Sequence, residues 1–307
     1  MSIEFDPYSL VVSINNLNAT LKEVDYFKDY ILPIVSLIVS GIFGYIIAIR
    51  GYKWQECVQN ERIKVDTINK TIMMFQDMQN NLVAIKATYS DGLSHHPLQR
   101  AGYMPFIICD ETIMYCESER LVQVGLSDNT GSKAWKLLHK KNKCNIKATP
   151  WLQAPTIFTV VSNYNHLIVL LKTRNQLDLD VKSMLSEKYG SEYGMGMTED
   201  KLYEALGRSL FVKYFDATEL LILQVDNMII SINDFLTHYP NEVSLKVNKK
   251  YLSNYKVIVN YINETTPYIS MLKRTPALDI KVMSSLVRMD TVEAMRKYRD
   301  YTTIQTN

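Results

Sequence analysis

Catalytic signatures are what this 307-residue chain most plainly lacks. It holds no G-x-x-x-x-G-K-[ST] phosphate loop, no G-x-G-x-x-G after a strand, no H-E-x-x-H, no G-x-S-x-G and no EF-hand loop. Cysteine is sparse, and Cys57, Cys109, Cys116 and Cys144 include no C-x-x-C pair. That leaves no zinc spacing and no dithiol motif, and reduced thiols are expected. His95 and His96 adjoin, but no Cys or acid stands near them at ligand spacing. Paired acids at Asp110, Glu111, Glu117 and Glu119 have no nucleophile or metal partner in the pattern and read as a solvated face. The net charge is only +2, so bulk electrostatics gives no case for nucleic-acid binding. No stretch alternates with the two-residue period of a strand. An all-α, non-enzymatic chain without cofactor, metal site or small-molecule substrate is therefore expected.

What is present is one long apolar run. Tyr30 to Ile49 carries no charge, with Lys28 and Asp29 before it and Arg50 after it. At about 1.5 Å per residue, twenty residues reach roughly 30 Å, the thickness of a bilayer's hydrocarbon core. The expectation is a single transmembrane helix over 30–50. Before it, two basic residues (Lys22 and Lys28) stand among five acids; after it come Arg50, Lys53, Arg62, Lys64 and Lys70. Basic flanks remain in the cytoplasm, so the N-terminus should lie outside and the bulk of the chain inside, at the cell inner membrane. The run starts late, is long and has an acidic leader, which argues for an uncleaved anchor.

Within the span, Ser36, Ser40, Gly44 and Ala48 recur every fourth residue, and Gly41 widens the strip. Lipid offers helices no hydrophobic gain on association, so close approach over small residues carries much of it. These five residues read as a helix-association seam and imply a homo-oligomer. The alternative is the general abundance of small residues in membrane helices. Pro33 is placed in the first turn, where its missing N–H is harmless.

Around the span the pattern is helical. Residues 1–29 form a short extracytoplasmic segment with Leu10, Ile14, Leu17 and Leu21 on one face. From Tyr52 to Ser90 no Gly or Pro intervenes, and Val58, Val65, Ile68, Ile72, Phe75 and Leu82 step by three, four or seven. The 51–90 stretch is either a heptad-bearing stalk or an amphipathic helix packed in its own bundle. A first cytoplasmic helical part follows over 91–190. It has a loop at 91–104, a helix with Phe106, Cys109, Ile113 and Cys116 on one face, and helices at 156–173 and 177–189. His166 reads as a core or boundary residue. Three glycines, Gly190, Gly194 and Gly196, suggest a connector. The second part, 191–307, opens with Thr198 as N-cap. It carries the longest soluble stripe, Leu202 to Phe235, closed by Pro240, and further helices over 247–264 and 278–300.

One stretch is strongly basic. Lys133, Lys136, Lys140, Lys141, Lys143 and Lys147 surround Trp135, Leu137 and Leu138 with no acid nearby. It reads as a solvated face, a contact to an anionic membrane surface, or a polyanion contact.

The order of short outer tail, one span ending G-Y-I-I-A-I-R, unbroken helix and helical domain resembles bacterial single-span membrane effectors of phage-defence loci, of retron and abortive-infection type. The resemblance covers the architecture of residues 25–190 and rests on Gly41, Gly44, Tyr45, Ala48 and Arg50. It transfers no active-site residue. It implies a toxin-like effector restrained until triggered, acting on the bilayer as several assembled copies. The reading set against it is a non-toxic membrane scaffold whose bundle recruits a regulatory protein or ribonucleoprotein partner.

Overall fold

The computed structural model describes residues 7–20, 26–126, 150–190, 198–259 and 265–298. Among these the chain is all-helical, with no strand. It divides into two compact units, Met1–Asn60 and Glu61–Asn307.

The first unit holds α1 (Pro7–Thr20) and the start of α2 (Leu32–Ala87), preceded by a π-helical turn, Phe27–Ile31. That turn corrects the expectation for Pro33. The helical run already includes Tyr26, so Pro33 sits well inside it. A proline ring collides with the carbonyl four residues back, and a widened turn accommodates it. Leu32 N–H accordingly bonds to the carbonyl of Phe27, five residues back. From Tyr26 to Arg50 every side chain except Ile49 is exposed.

In the second unit the α2 pattern resolves in favour of the bundle. Val65, Ile68, Ile72, Phe75, Met78, Leu82 and Ile85 are all buried, at steps of three and four. They pack with two long helices, α5 (Ala154–Tyr189) and α6 (Glu199–Lys246). Phe75 stacks on Phe235 at 3.8 Å between ring centroids, and Phe235 on Tyr239 at 4.4 Å. Trp151 meets Phe235 edge-on at 5.4 Å and donates its indole N–H to Asp234 at 2.7 Å. A second cluster gathers Val181, Leu185, Leu206, Phe211, Phe215 and Met283. It is covered by α8 (Ile280–Val287) and α9 (Thr291–Lys297).

Several boundaries depart from the sequence expectation, each for a local reason. The two helices expected at 156–173 and 177–189 are one, because Arg174 and Asn175 between them, and Asp178 just after, are buried and bonded rather than solvated. Helix α6 runs through Pro240, since Tyr239, Pro240 and Val243 are all buried and their packing offsets the lost backbone bond. It bends instead at Gly207, whose φ of 65° belongs to a region that glycine enters at little cost. Thr198 stands at the N-cap, but its side chain makes no capping bond. The helix expected over 278–300 is two. Asp279 caps Lys281 and Val282, left-handed Arg288 stops the chain, and Asp290 caps Val292 and Glu293. Two expected helices are largely absent. Residues 104–117 are non-helical between α3 (Pro97–Tyr103) and α4 (Ser118–Leu126); of 247–264, residues 247–259 yield a short turn at Lys249–Tyr251 and a non-helical run over 255–259, and 260–264 lie outside the described residues. A short α7 (Thr266–Leu272) follows.

Truncating Phe75 to alanine removes a ring from the centre of the aromatic stack. Phe75→Ala should lower stability by about 3–5 kcal/mol, read by denaturant unfolding of the full chain in detergent with tryptophan emission as probe. Met73→Ala, on the exposed face of the same helix, should change it by less than about 0.5 kcal/mol.

Candidate functional site

The seam residues lie in an unbroken helix. Ser36 Oγ donates to the carbonyl of Pro33 at 2.9 Å and Ser40 Oγ to that of Leu37 at 3.0 Å, so each hydroxyl is satisfied within its own helix. A Cβ added to Gly41 or Gly44 would meet no atom within 4 Å. Ser36, Ser40, Gly44 and Ala48 are exposed along the helix. The basic candidates Lys133, Trp135, Lys136, Lys140, Lys141 and Lys143 lie outside the described residues, as do Gly194 and Gly196.

No group of three potential metal ligands occurs among the described residues. His95 is a tether: its Nδ1 lies 2.7 Å from the carbonyl of Ala277, and its own carbonyl accepts from the Asp279 N–H at 2.9 Å. His166 is exposed, not a core residue. Cys109 and Cys116 do not share a helical face, because their segment is extended. Burial pushes both thiols up, with neighbouring carboxylates adding to it, so neither is an activated thiolate. The acids at 110, 111, 117 and 119 are exposed; Glu111 pairs with Lys172 and Glu117 with Arg120, each at 2.8 Å.

The structure assembles two features that sequence patterning missed. The first is a set of helix asparagines that bind extended backbone. Asn175 accepts from the Ile107 N–H at 3.1 Å and donates to the same residue's carbonyl at 2.7 Å. Asn165 does the same to Met114, with both bonds at 3.0 Å. Asn81 does so to Asp110, at 3.3 and 2.8 Å. Asn69 spans two residues, accepting from Ile258 N–H at 2.8 Å and donating to the Lys256 carbonyl at 3.2 Å. A primary amide presents one donor and one acceptor side by side, as a peptide group does, so it replaces a neighbouring strand.

The second feature is a set of buried charges. Lys86, 2% exposed, pairs with Asp226 at 2.6 Å and donates to the carbonyls of Met271, at 2.9 Å, and Lys273. Asp226 Oδ2 accepts from the Thr275 N–H at 2.8 Å and from its hydroxyl at 2.7 Å. Arg174 pairs with Asp178 at 3.3 Å and donates to the carbonyls of Pro105 and Met104, both at 2.7 Å. Tyr214 OH closes that centre, 2.9 Å from both Ala101 O and Asp178 Oδ1. Burial holds this phenol well above its usual range. Arg100 meets Glu219 through Nε alone, 3.0 Å from Oε1 and 2.9 Å from Oε2. Its Nη1 donates to the carbonyls of Ser94 at 3.1 Å and Pro276 at 2.7 Å. Burial raises the Glu219 carboxyl to about 7, against the lowering pull of Arg100.

Arg100, Glu219, Asp226, Arg274, Thr275 and Tyr298 line a cavity of about 240 Å³ beside α6. What the arrangement does is bind backbone carbonyls. The signal available in sequence was Glu219 and Asp226, seven residues apart on one apolar helix, with no partner assignable by spacing. Comparison with known proteins finds no matching family model, curated protein or solved structure.

Removing one member of a buried pair leaves the other uncompensated. Lys86→Met should cost about 3–5 kcal/mol, and adding Asp226→Leu should recover part of it. Asn175→Ala should cost about 1–3 kcal/mol, because the buried Ile107 N–H and carbonyl both lose their partner. Urea titration of each variant checks these values.

Proposed function

We propose that this chain is a membrane-anchored, self-associating effector that perturbs the bilayer when released from restraint. The observation that carries the reading is the contrast among three helices long and apolar enough to cross a membrane. The first, within Phe27–Gly92, has an apolar window of mean hydropathy 2.3 with none of it buried inside the protein. The windows in Ala154–Tyr189 and Glu199–Lys246 reach only 1.2 and 1.3 and are 39% and 50% buried. Those two helices also carry Arg174, Asp178, Glu219 and Asp226, all paired inside the bundle. A charge in a bilayer is costly, so the first helix suits lipid and the other two suit a water-surrounded core. Within it the open strip of Ser36, Ser40, Gly44 and Ala48 favours contact between copies. The basic flank after Arg50 favours a cytoplasmic bundle.

Topology and assembly call for separate tests. An impermeant thiol reagent on intact cells should label an introduced Ser13→Cys and miss Cys57; labelling of Cys57 from outside would invert the topology. Crosslinking through Ser40→Cys should give dimers or larger species, whereas Ile38→Cys, about 160° away around the helix, should not. Expression should lower membrane potential, and Gly44→Leu should restore it while the chain still inserts. Depolarisation that persists in Gly44→Leu rules out the seam as the means of action. Harmless expression with a stoichiometric soluble partner on native extraction would favour the scaffold reading.

A further inference from the structure

Segment 271–279 lies across α6 on main-chain contacts. The carbonyls of Met271 and Lys273 accept from Lys86, the Thr275 N–H goes to Asp226, the Pro276 carbonyl to Arg100 and the Ala277 carbonyl to His95. Lys273, Arg274, Ala277 and Asp279 are exposed, while Leu272 and Leu278 are half-buried against the two core clusters. Between those two leucines the hold is polar, and there it depends on the charges beneath it.

One of those charges is poorly matched. A guanidinium in its strongest pairing offers two N–H groups to two carboxylate oxygens. Here Nε alone faces both oxygens of Glu219, and Nη1 is taken by the carbonyls of Ser94 and Pro276. One N–H needs one acceptor, so the second oxygen has no donor of its own. Glu219 lines the adjoining cavity, which at about 240 Å³ is large enough to hold water. We propose that Glu219 is the proton-binding element of a latch that holds segment 271–279 against α6, closed when the carboxyl carries a proton and loosened when it does not.

The neighbouring groups leave this role to Glu219. On α6 itself, Asp226 is matched by Lys86 from α2. Asp216 is matched by Lys297 and by the Tyr298 hydroxyl from the end of α9. Tyr89, beside Asp226 and Arg100, and Tyr298 are both pushed far up by burial and stay neutral. Arg274, on the segment itself, donates to Asn227. His95 also touches the segment, at the Ala277 carbonyl.

The sign follows from linkage. Closed, Glu219 holds its proton up to about pH 7 because burial penalises the anion. Opened to water, a glutamate titrates near 4.3. Opening therefore releases a proton. The opening equilibrium should rise about tenfold per pH unit between roughly 4.5 and 7, and level off above that.

Hydrogen exchange of peptides covering 271–279, in the full chain in detergent and corrected for intrinsic rate, reads this directly. From pH 5 to pH 8 the wild-type opening should rise on the order of 50-fold, while core peptides over 221–236 change little. Glu219→Gln, a permanent neutral carboxyl analogue, should be flat with pH and more protected than wild type at pH 8. His95→Asn should keep the wild-type slope. Three results overturn the latch: wild-type opening on acidification or not at all, Glu219→Gln opening at pH 8 as readily as wild type, or a slope that vanishes in His95→Asn and survives in Glu219→Gln. The wild-type slope decides the matter if the glutamine variant does not fold. None of these outcomes depends on whether the chain acts on a membrane.

Discussion

A buried peptide group must find a hydrogen-bond partner, and in this bundle side chains supply the partners that strands would supply elsewhere. Three helices provide the core, but 104–117, 255–259 and 273–279 are irregular runs laid against them. Each needs its N–H and carbonyl groups satisfied where it touches the helices. Asn69, Asn81, Asn165 and Asn175 do this with neutral amides; Lys86, Arg100 and Arg174 do it with cations. The cations then require anions, which is why Asp178, Glu219 and Asp226 lie inside. The buried charges are thus a consequence of covering a helical core with extended chain.

The same constraint separates the long helices from one another. The α5 and α6 helices are apolar over long stretches, yet the faces they turn inward carry ions paired within the protein. The start of α2 and the turn before it carry no charged side chain from Tyr30 to Ile49 and bury nothing there except partly at Ile49. Apolar length alone does not distinguish the three. The destination of their polar groups does.

Sequence periodicity reached the helical class and the buried faces, because those depend on steps of three and four. Val65 to Leu82, and Leu221 to Phe235, read correctly for that reason. Periodicity failed where a polar residue interrupted it. The expected gap at 174–176 holds Arg174 and Asn175, which are buried and bonded inside a continuous α5. Phe106, Cys109, Ile113 and Cys116 fit a helical face, but their backbone is held extended by asparagines 29 to 68 positions away. Pro240 looked like a terminus, and burial of its neighbours carried the helix through. The Glu219 centre was illegible because its cation comes from Arg100, 119 positions earlier. The small-residue strip is defined by helical spacing alone.

Hydrogen exchange at single residues in 104–117 tests the central claim most directly. Ile107 and Met114 have no backbone partner for their N–H groups, only Asn175 and Asn165. If amide pairing holds this run as a ladder would, both should exchange orders of magnitude more slowly than an unstructured peptide, with the Ile107 rate approaching that of the α5 core. Substituting either asparagine by alanine should release its own partner first. Ile107 and Met114 exchanging at the rate of free peptide would contradict the account, because the extended run would then be only resting on the bundle.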